Sequence, residues 1–120
     1  MGAKEFQCYA SGSTPREAFE NALTNAIKEH GTSGGTGTIA EKGDILEVHV
    51  PEGVSFVQWR DWIVNGASWT YEGNVFDETP ENLHDTLVKA IDAYNFKWGP
   101  AICIYNKEDE NYLFMGSAHW

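Results

Sequence analysis

The stretch from Thr14 to His30, TPREAFENALTNAIKEH, has the features of an amphipathic α-helix. Thr14 can cap the helix, Pro15 suits the first helical position, and Glu17 completes a capping box three residues after the cap. Two adjacent rows of residues at a spacing of four form one apolar stripe: Ala18, Ala22 and Ala26 beside Phe19, Leu23 and Ile27. The small alanines predict that this helix lies close against a sheet.

Working outward, a second helix is predicted over 79–96, because it also opens on Thr-Pro-Glu and stops before Gly99-Pro100. A short helix is favoured over 53–65, where Trp59, Trp62 and Ile63 share a face. The strand-like runs are 5–10, 38–41, 45–50, 69–76, 101–105 and 112–118. Hairpins are expected around Lys42-Gly43 and around the acidic turn 107–111.

These elements predict an α+β fold that forms a single domain over residues 1–120, the usual size of one domain. The expected architecture is a mainly antiparallel sheet with two helices packed on one face. A strand-helix-hairpin order, expected once in each half, would make the chain a pseudo-repeat. Cys8 and Cys103 lie in apolar runs, which predicts two buried thiols on strands.

The charge distribution excludes several classes of partner. The chain has 18 acidic and 8 basic residues, a net charge of −10, so a surface for long nucleic acid is not expected. The same balance disfavours anionic lipid, and no apolar run reaches the length of a membrane span. The first residues lack the apolar stretch of a signal peptide, which predicts a cytoplasmic protein.

The segment 30–38, HGTSGGTGT, combines four glycines with four hydroxyl residues. Glycines let backbone N–H groups approach an anion, and hydroxyls add donors, so the segment predicts a phosphate-binding loop. The predicted anion donors are on or just after this loop: Thr32, Ser33, Gly35, Thr36, Thr38 and Lys42. Because the loop matches neither standard phosphate motif and follows a helix, a plain connector between helix and strand is the alternative.

An aromatic group around Trp59 and Arg60 could supply the second half of a nucleotide site. Phe56, Trp59 and Trp62 offer ring faces, and a planar guanidinium beside them could help to sandwich a base. The alternative is that these rings belong to the core or to a subunit interface and that Arg60 pairs with Asp61. Five tryptophans in a chain of this size favour an interface, and hence a homo-oligomer.

Catalytic and metal chemistry find little support in the sequence. The four histidines show no metal-ligand spacing, and no pair of carboxylates stands out, so neither a metal nor a cofactor nor an enzymatic activity is expected. The run Glu108-Asp109-Glu110 is typical of a solvated turn. Its functional alternative is an acidic surface that imitates nucleic-acid phosphates and blocks a basic groove.

Two stretches resemble a family of small uncharacterised bacteriophage and prophage proteins. One is the alanine-rich helix running into Gly34-Gly35-Thr36-Gly37-Thr38-Ile39-Ala40-Glu41-Lys42. The other is Lys97-Trp98-Gly99-Pro100-Ala101, followed by Tyr112-Leu113-Phe114-Met115-Gly116-Ser117-Ala118. The resemblance implies a phage-type protein that acts in the host cytoplasm, and it assigns no catalytic residue.

Small acidic phage proteins of this kind are expected to antagonise host defence. The first hypothesis is a non-catalytic sponge that sequesters a nucleotide or cyclic nucleotide signal. The alternative is an acidic inhibitor that binds and blocks a host defence protein, by nucleic-acid mimicry.

Overall fold

The computed structural model describes residues 3–30, 38–68 and 70–119. Strand β1 (Ala3–Ala10) is followed by helix α1 (Pro15–His30), a 3-10 turn (Ile39–Glu41) and strand β2 (Ile45–Glu47). Helices α2 (Phe56–Ala67) and α3 (Val75–Glu78), a second 3-10 turn (Glu81–Leu83) and helix α4 (His84–Asn95) come next. Strands β3 (Ala101–Asn106) and β4 (Asn111–His119) close the chain.

The strands form one mixed sheet in the order β1-β4-β3-β2. β4 pairs antiparallel with both β1 and β3, whereas β2 pairs parallel with β3. The class is therefore α+β, as predicted, but the sheet is not purely antiparallel and the described residues form four α-helices. The β3–β4 hairpin is confirmed around the turn at residues 107–110.

Helices cover both faces of the sheet, which corrects the prediction of two helices on one face. Along β3, Cys103 packs in a cluster with α1, while Ile102 and Ile104 pack in a cluster with α2 and α4. Successive side chains of a strand point to opposite faces, so α1 lies on one face and α2 and α4 lie on the other. The continuous apolar run Ala101–Ile104 is what a strand covered on both faces requires.

The helix signals of α1 and α2 are confirmed. The Thr14 hydroxyl accepts from the backbone N–H of Glu17 at 3.1 Å, and Ala18, Phe19, Ala22 and Ala26 are buried. The favoured short helix is α2, capped reciprocally by Ser55 and Gln58. The predicted helix over 79–96 starts as a 3-10 turn after Pro80 and continues as α4, and neither of them has a side-chain cap. The buried hydroxyl of Thr79, the expected cap, has no hydrogen-bond partner.

The predicted hairpin around Lys42-Gly43 is wrong. The Thr38 hydroxyl accepts from the N–H of Ala40 at 3.2 Å, which turns residues 39–41 into a 3-10 turn with Ile39 buried. The chain then enters β2, whose partner is the distant β3. The predicted strand over 69–76 is also absent from its described residues, because Asn74 caps α3. The strand-helix-hairpin pseudo-repeat fails with them.

Candidate functional site

The groove between β1 and α1 is a cavity of about 470 Å³. We call it the β1–α1 groove; its lining is residues 4–9 of β1, Ala22, Asn25, Ala26 and Glu29 of α1, and Thr38 and Ile39. Because β1 is an edge strand and the facing helix positions are alanines, space remains between the two elements. The small side chains that predicted close packing therefore also leave room for a ligand.

The described residues that flank the predicted anion-binding loop belong to this groove. Glu29 and Thr38, on either side of residues 30–37, both line the cavity. Thr32, Ser33, Gly35 and Thr36 lie outside the described residues, so their part in binding stays a prediction. Thr38 is described, and its hydroxyl caps the 3-10 turn at the groove wall.

Lys42 is placed away from any exposed anion site. It is 4 % exposed, and its ammonium donates to the carbonyl oxygens of Phe96 at 3.3 Å and Lys97 at 3.1 Å. Burial lowers the pKa of Lys42. The last carbonyls of a helix have no partner within the helix, and a lysine can satisfy them. In this conformation Lys42 therefore joins the first 3-10 turn to the residues that end α4.

Trp59 lies in the core rather than on a surface. It is 0 % exposed and contacts Trp62 edge to face, with ring centroids 6.4 Å apart. Its ring faces are covered by protein, as the core alternative for these aromatic residues describes. The indole Nε1 has no hydrogen-bond partner in this buried setting. A base cannot stack on Trp59 without a rearrangement of the core.

Arg60 pairs as the alternative interpretation expects. Its guanidinium lies 3.1 Å from the carboxylate of Asp61 and donates to the Tyr9 hydroxyl at 3.3 Å. The hydrogen bond to Tyr9 is the main cause that raises the pKa of Arg60. Trp59 belongs to the cluster on the α2–α4 face, whereas Ile39 belongs to the cluster on the α1 face. The sheet therefore separates Trp59 from Thr38, the described member of the predicted loop, so these two residues do not share a pocket.

The thiols are unsuited to nucleophilic chemistry at neutral pH. Desolvation raises the pKa of Cys8 to about 11 and that of Cys103 to about 12, so both are protonated. Both are free cysteines on strands, as predicted, although Cys8 is only partly buried. Within residues 3–30, 38–68 and 70–119, no group of three or more metal-ligating side chains comes together.

A second groove, which the sequence did not predict, lies at the other end of the sheet. It consists of three adjoining cavities of about 290, 430 and 170 Å³. The cavities of 290 and 430 Å³ share His49 and Tyr105 in their lining, and those of 430 and 170 Å³ share Phe56 and Asn106. We call them together the terminal groove. One wall is the chain from Glu47 to Val57, and the other is the end of β3 with the β3–β4 turn. Tyr105 follows the apolar run of β3, and this was the sequence signal that could have pointed to an aromatic wall at the end of that strand.

No protein-family model, no curated protein and no solved structure matches this chain. Among the described residues, every helix is too short or too polar to cross a membrane.

Proposed function

We propose that this chain is a non-catalytic, phage-type binding protein that sequesters a nucleotide or cyclic nucleotide signal in the β1–α1 groove. The observation that carries the proposal is the groove's position. Residues on both sides of the glycine- and threonine-rich stretch line it, at Glu29 and Thr38. A ligand in the groove would therefore lie beside the two residues that flank that stretch, and contact with the stretch itself is part of the proposal.

The dimensions of the groove suit a nucleotide. Its volume of about 470 Å³ falls within the range of typical small-molecule sites. The floor contains Phe6, Cys8, Ala22 and Ala26, which offer apolar contact to a base. Thr38, Asn25 and Lys4 bring a hydroxyl, an amide and an ammonium to the same cavity, which the carboxylates of Glu5 and Glu29 also line. This combination of an apolar floor with a few polar groups is what orients a small ligand.

This proposal does not use the predicted anion donor Lys42 or the predicted base platform of Trp59 and Arg60. The ammonium of Lys42 stabilises the end of α4, and Trp59 supports the core, so the base contacts pass to Phe6 and its neighbours. Sequestration needs no bond to be made or broken, which agrees with the protonated state of both thiols. By removing a signal from the host cytoplasm, such a protein would antagonise a defence system that responds to it.

Isothermal titration against a panel of cyclic di- and trinucleotides and mononucleotides tests the proposal. We expect Asn25→Glu to abolish binding, because it adds a negative charge on the groove wall. Thr24→Glu is the matched control, since Thr24 is the neighbouring exposed position on α1 and does not line the groove. Absence of heat with every nucleotide at well above micromolar protein, or equal loss in both variants, would overturn the proposal.

The predicted alternative is an acidic inhibitor of a host protein, and a different surface favours it. Glu108, Asp109 and Glu110 are all exposed on the β3–β4 turn. Charge reversal at these three positions should leave nucleotide binding unchanged if the chain is a sponge. The same change should remove activity if the chain acts as a mimic of nucleic acid.

A further inference from the structure

The terminal groove presents exposed aromatic and apolar side chains outside the site proposed above. Tyr9 and Tyr105 are both 44 % exposed at its walls, and Val57 is 51 % exposed. Tyr9 packs against Phe56, with ring centroids 6.4 Å apart. Exposed aromatic side chains on rigid strands and helices are typical anchors of protein interfaces.

The charge around the terminal groove favours a basic partner. Six carboxylates lie on or beside the groove: Glu47, Glu52, Asp61, Glu108, Asp109 and Glu110. The cations among its described lining residues are Lys107 and Arg60, and Arg60 is already paired with Asp61. The whole chain carries a net charge of −10. A basic partner is therefore attracted, whereas nucleic acid and anionic membranes are repelled.

The cavity of about 290 Å³ at one end of the groove has the chemistry of a guanidinium site. Tyr105 and Tyr112 pack with ring centroids 5.0 Å apart, and both line this cavity together with Glu47 and His49. Aromatic faces attract a cation, and a planar guanidinium can also stack on a ring while it donates two parallel hydrogen bonds to a carboxylate. Burial is the main cause that raises the pKa of Tyr112 and Cys103, and the negative charge of Glu47 adds to the rise in both.

We propose that the terminal groove docks an extended basic segment of a partner protein, and that its Glu47 end takes an arginine side chain between Tyr105, Tyr112 and the Glu47 carboxylate. The rest of the segment lies between the β3–β4 turn and the loop before α2, against Phe56 and Val54. This docking is independent of the β1–α1 groove, which shares Tyr9 alone with the cavities of the terminal groove.

Fluorescence anisotropy with a labelled peptide of three Gly-Arg repeats tests the docking. The matched peptides replace each arginine by citrulline, which keeps the shape but not the charge, or by lysine. We expect the arginine peptide to bind most tightly, the lysine peptide less tightly and the citrulline peptide not measurably. Equal binding of the citrulline peptide, equal binding of the lysine peptide, or no binding of the arginine peptide would overturn the proposal.

Variants distinguish binding in the terminal groove from general electrostatic attraction to an acidic protein. Glu47→Gln and Tyr105→Ser should each weaken binding of the arginine peptide by about fivefold or more. Glu20→Gln removes the same charge from an exposed position on α1 that lines none of the described cavities, and should leave affinity nearly unchanged. Equal weakening by Glu47→Gln and Glu20→Gln would show an unspecific charge effect and overturn the assignment.

A second measurement guards against misfolded variants. Backbone amide shifts in the unaltered protein should change on peptide addition around Glu47–Ser55 and Tyr105–Tyr112. Shift changes confined to β1 and α1 residues of the β1–α1 groove would contradict docking at the terminal groove, whatever the affinities of the variants.

Discussion

Lys42 illustrates how one side chain can carry a long-range structural role. Its ammonium joins residues 54 and 55 positions later in the chain, Phe96 and Lys97, through their carbonyl oxygens. The aliphatic stem passes through protein while the charged end reaches the carbonyls. One donor, on the residue that follows the first 3-10 turn, thus binds two acceptors at the end of α4, of which the Phe96 carbonyl also accepts from the backbone N–H of Gly99 at 3.0 Å.

Lys42→Met should destabilise the protein by about 1–3 kcal/mol, because the Lys97 and Phe96 carbonyls both lose a charged donor, although the Phe96 carbonyl keeps the backbone N–H of Gly99. Methionine keeps much of the stem, so loss of packing is small. Lys89→Met is the control, since Lys89 is exposed on α4 and should change the free energy of unfolding little. Urea unfolding at neutral pH measures both, and equal stability of the two variants would contradict a structural role for the Lys42 ammonium.

At the residue scale, the sequence could name side chains that carry chemistry but not their partners. Lys42 follows a glycine-rich segment, and for this reason the sequence predicted that its ammonium binds an anion. The carbonyls that it binds lie more than fifty residues away, and only the tertiary fold brings them together. Trp59 is similar, because a large aromatic residue on a short helix fits either a surface platform or a buried core.

Among the elements, α2 packs against α4 at a glycine, Gly66. A Cβ atom at Gly66 would lie 2.3 Å from Cδ1 of Ile91 and 3.0 Å from Cγ2 of Val75. Ile91 and Val75 are both buried in the cluster that α2 shares with the sheet. The absence of a side chain at this position therefore sets how near the two helices can lie.

Gly66→Ala should cost about 1–3 kcal/mol of stability through overpacking, although alanine favours helix formation. Ile91→Val removes the Cδ1 atom that alanine would meet, so the double variant should lose less stability than the sum of the two single variants. Thermal or urea unfolding of the unaltered protein, the two single variants and the double variant gives this double-mutant cycle. Additive effects within error would mean that the contact does not limit the approach of the helices.

The elements that were predicted correctly depend on local signals. α1 has a capping box, a proline at its first position and a continuous apolar stripe, all within its own residues. The errors concern pairings between distant segments: β2 pairs with β3 across more than fifty residues, and the helices divide between two faces of the sheet. Alternation along a strand predicts two faces but does not say what covers each face.

Across the whole molecule, a net charge of −10 coexists with exposed apolar side chains. Phe96 is 57 % exposed and Trp98 is 64 % exposed, two residues apart in the segment between α4 and β3. The predicted homo-oligomer depends on the tryptophans, and among those that the structure describes Trp59 is buried, Trp62 is half-buried and Trp98 is exposed. Charge repulsion between copies opposes their association, and salt screens that repulsion.

Self-association, which stays a prediction, should therefore increase with ionic strength and depend on Trp98. In sedimentation velocity we expect a larger dimer fraction at about 0.5 M than at about 0.05 M NaCl, because the Debye length shortens severalfold over that range. Trp98→Ser should weaken dimerisation by about tenfold, as expected for a tryptophan at the centre of an interface. Val88→Ser is the control, since Val88 is an exposed apolar residue on α4, 42 % exposed. A strict monomer at both salt concentrations contradicts the homo-oligomer, and equal weakening by both variants contradicts an interface centred on Trp98.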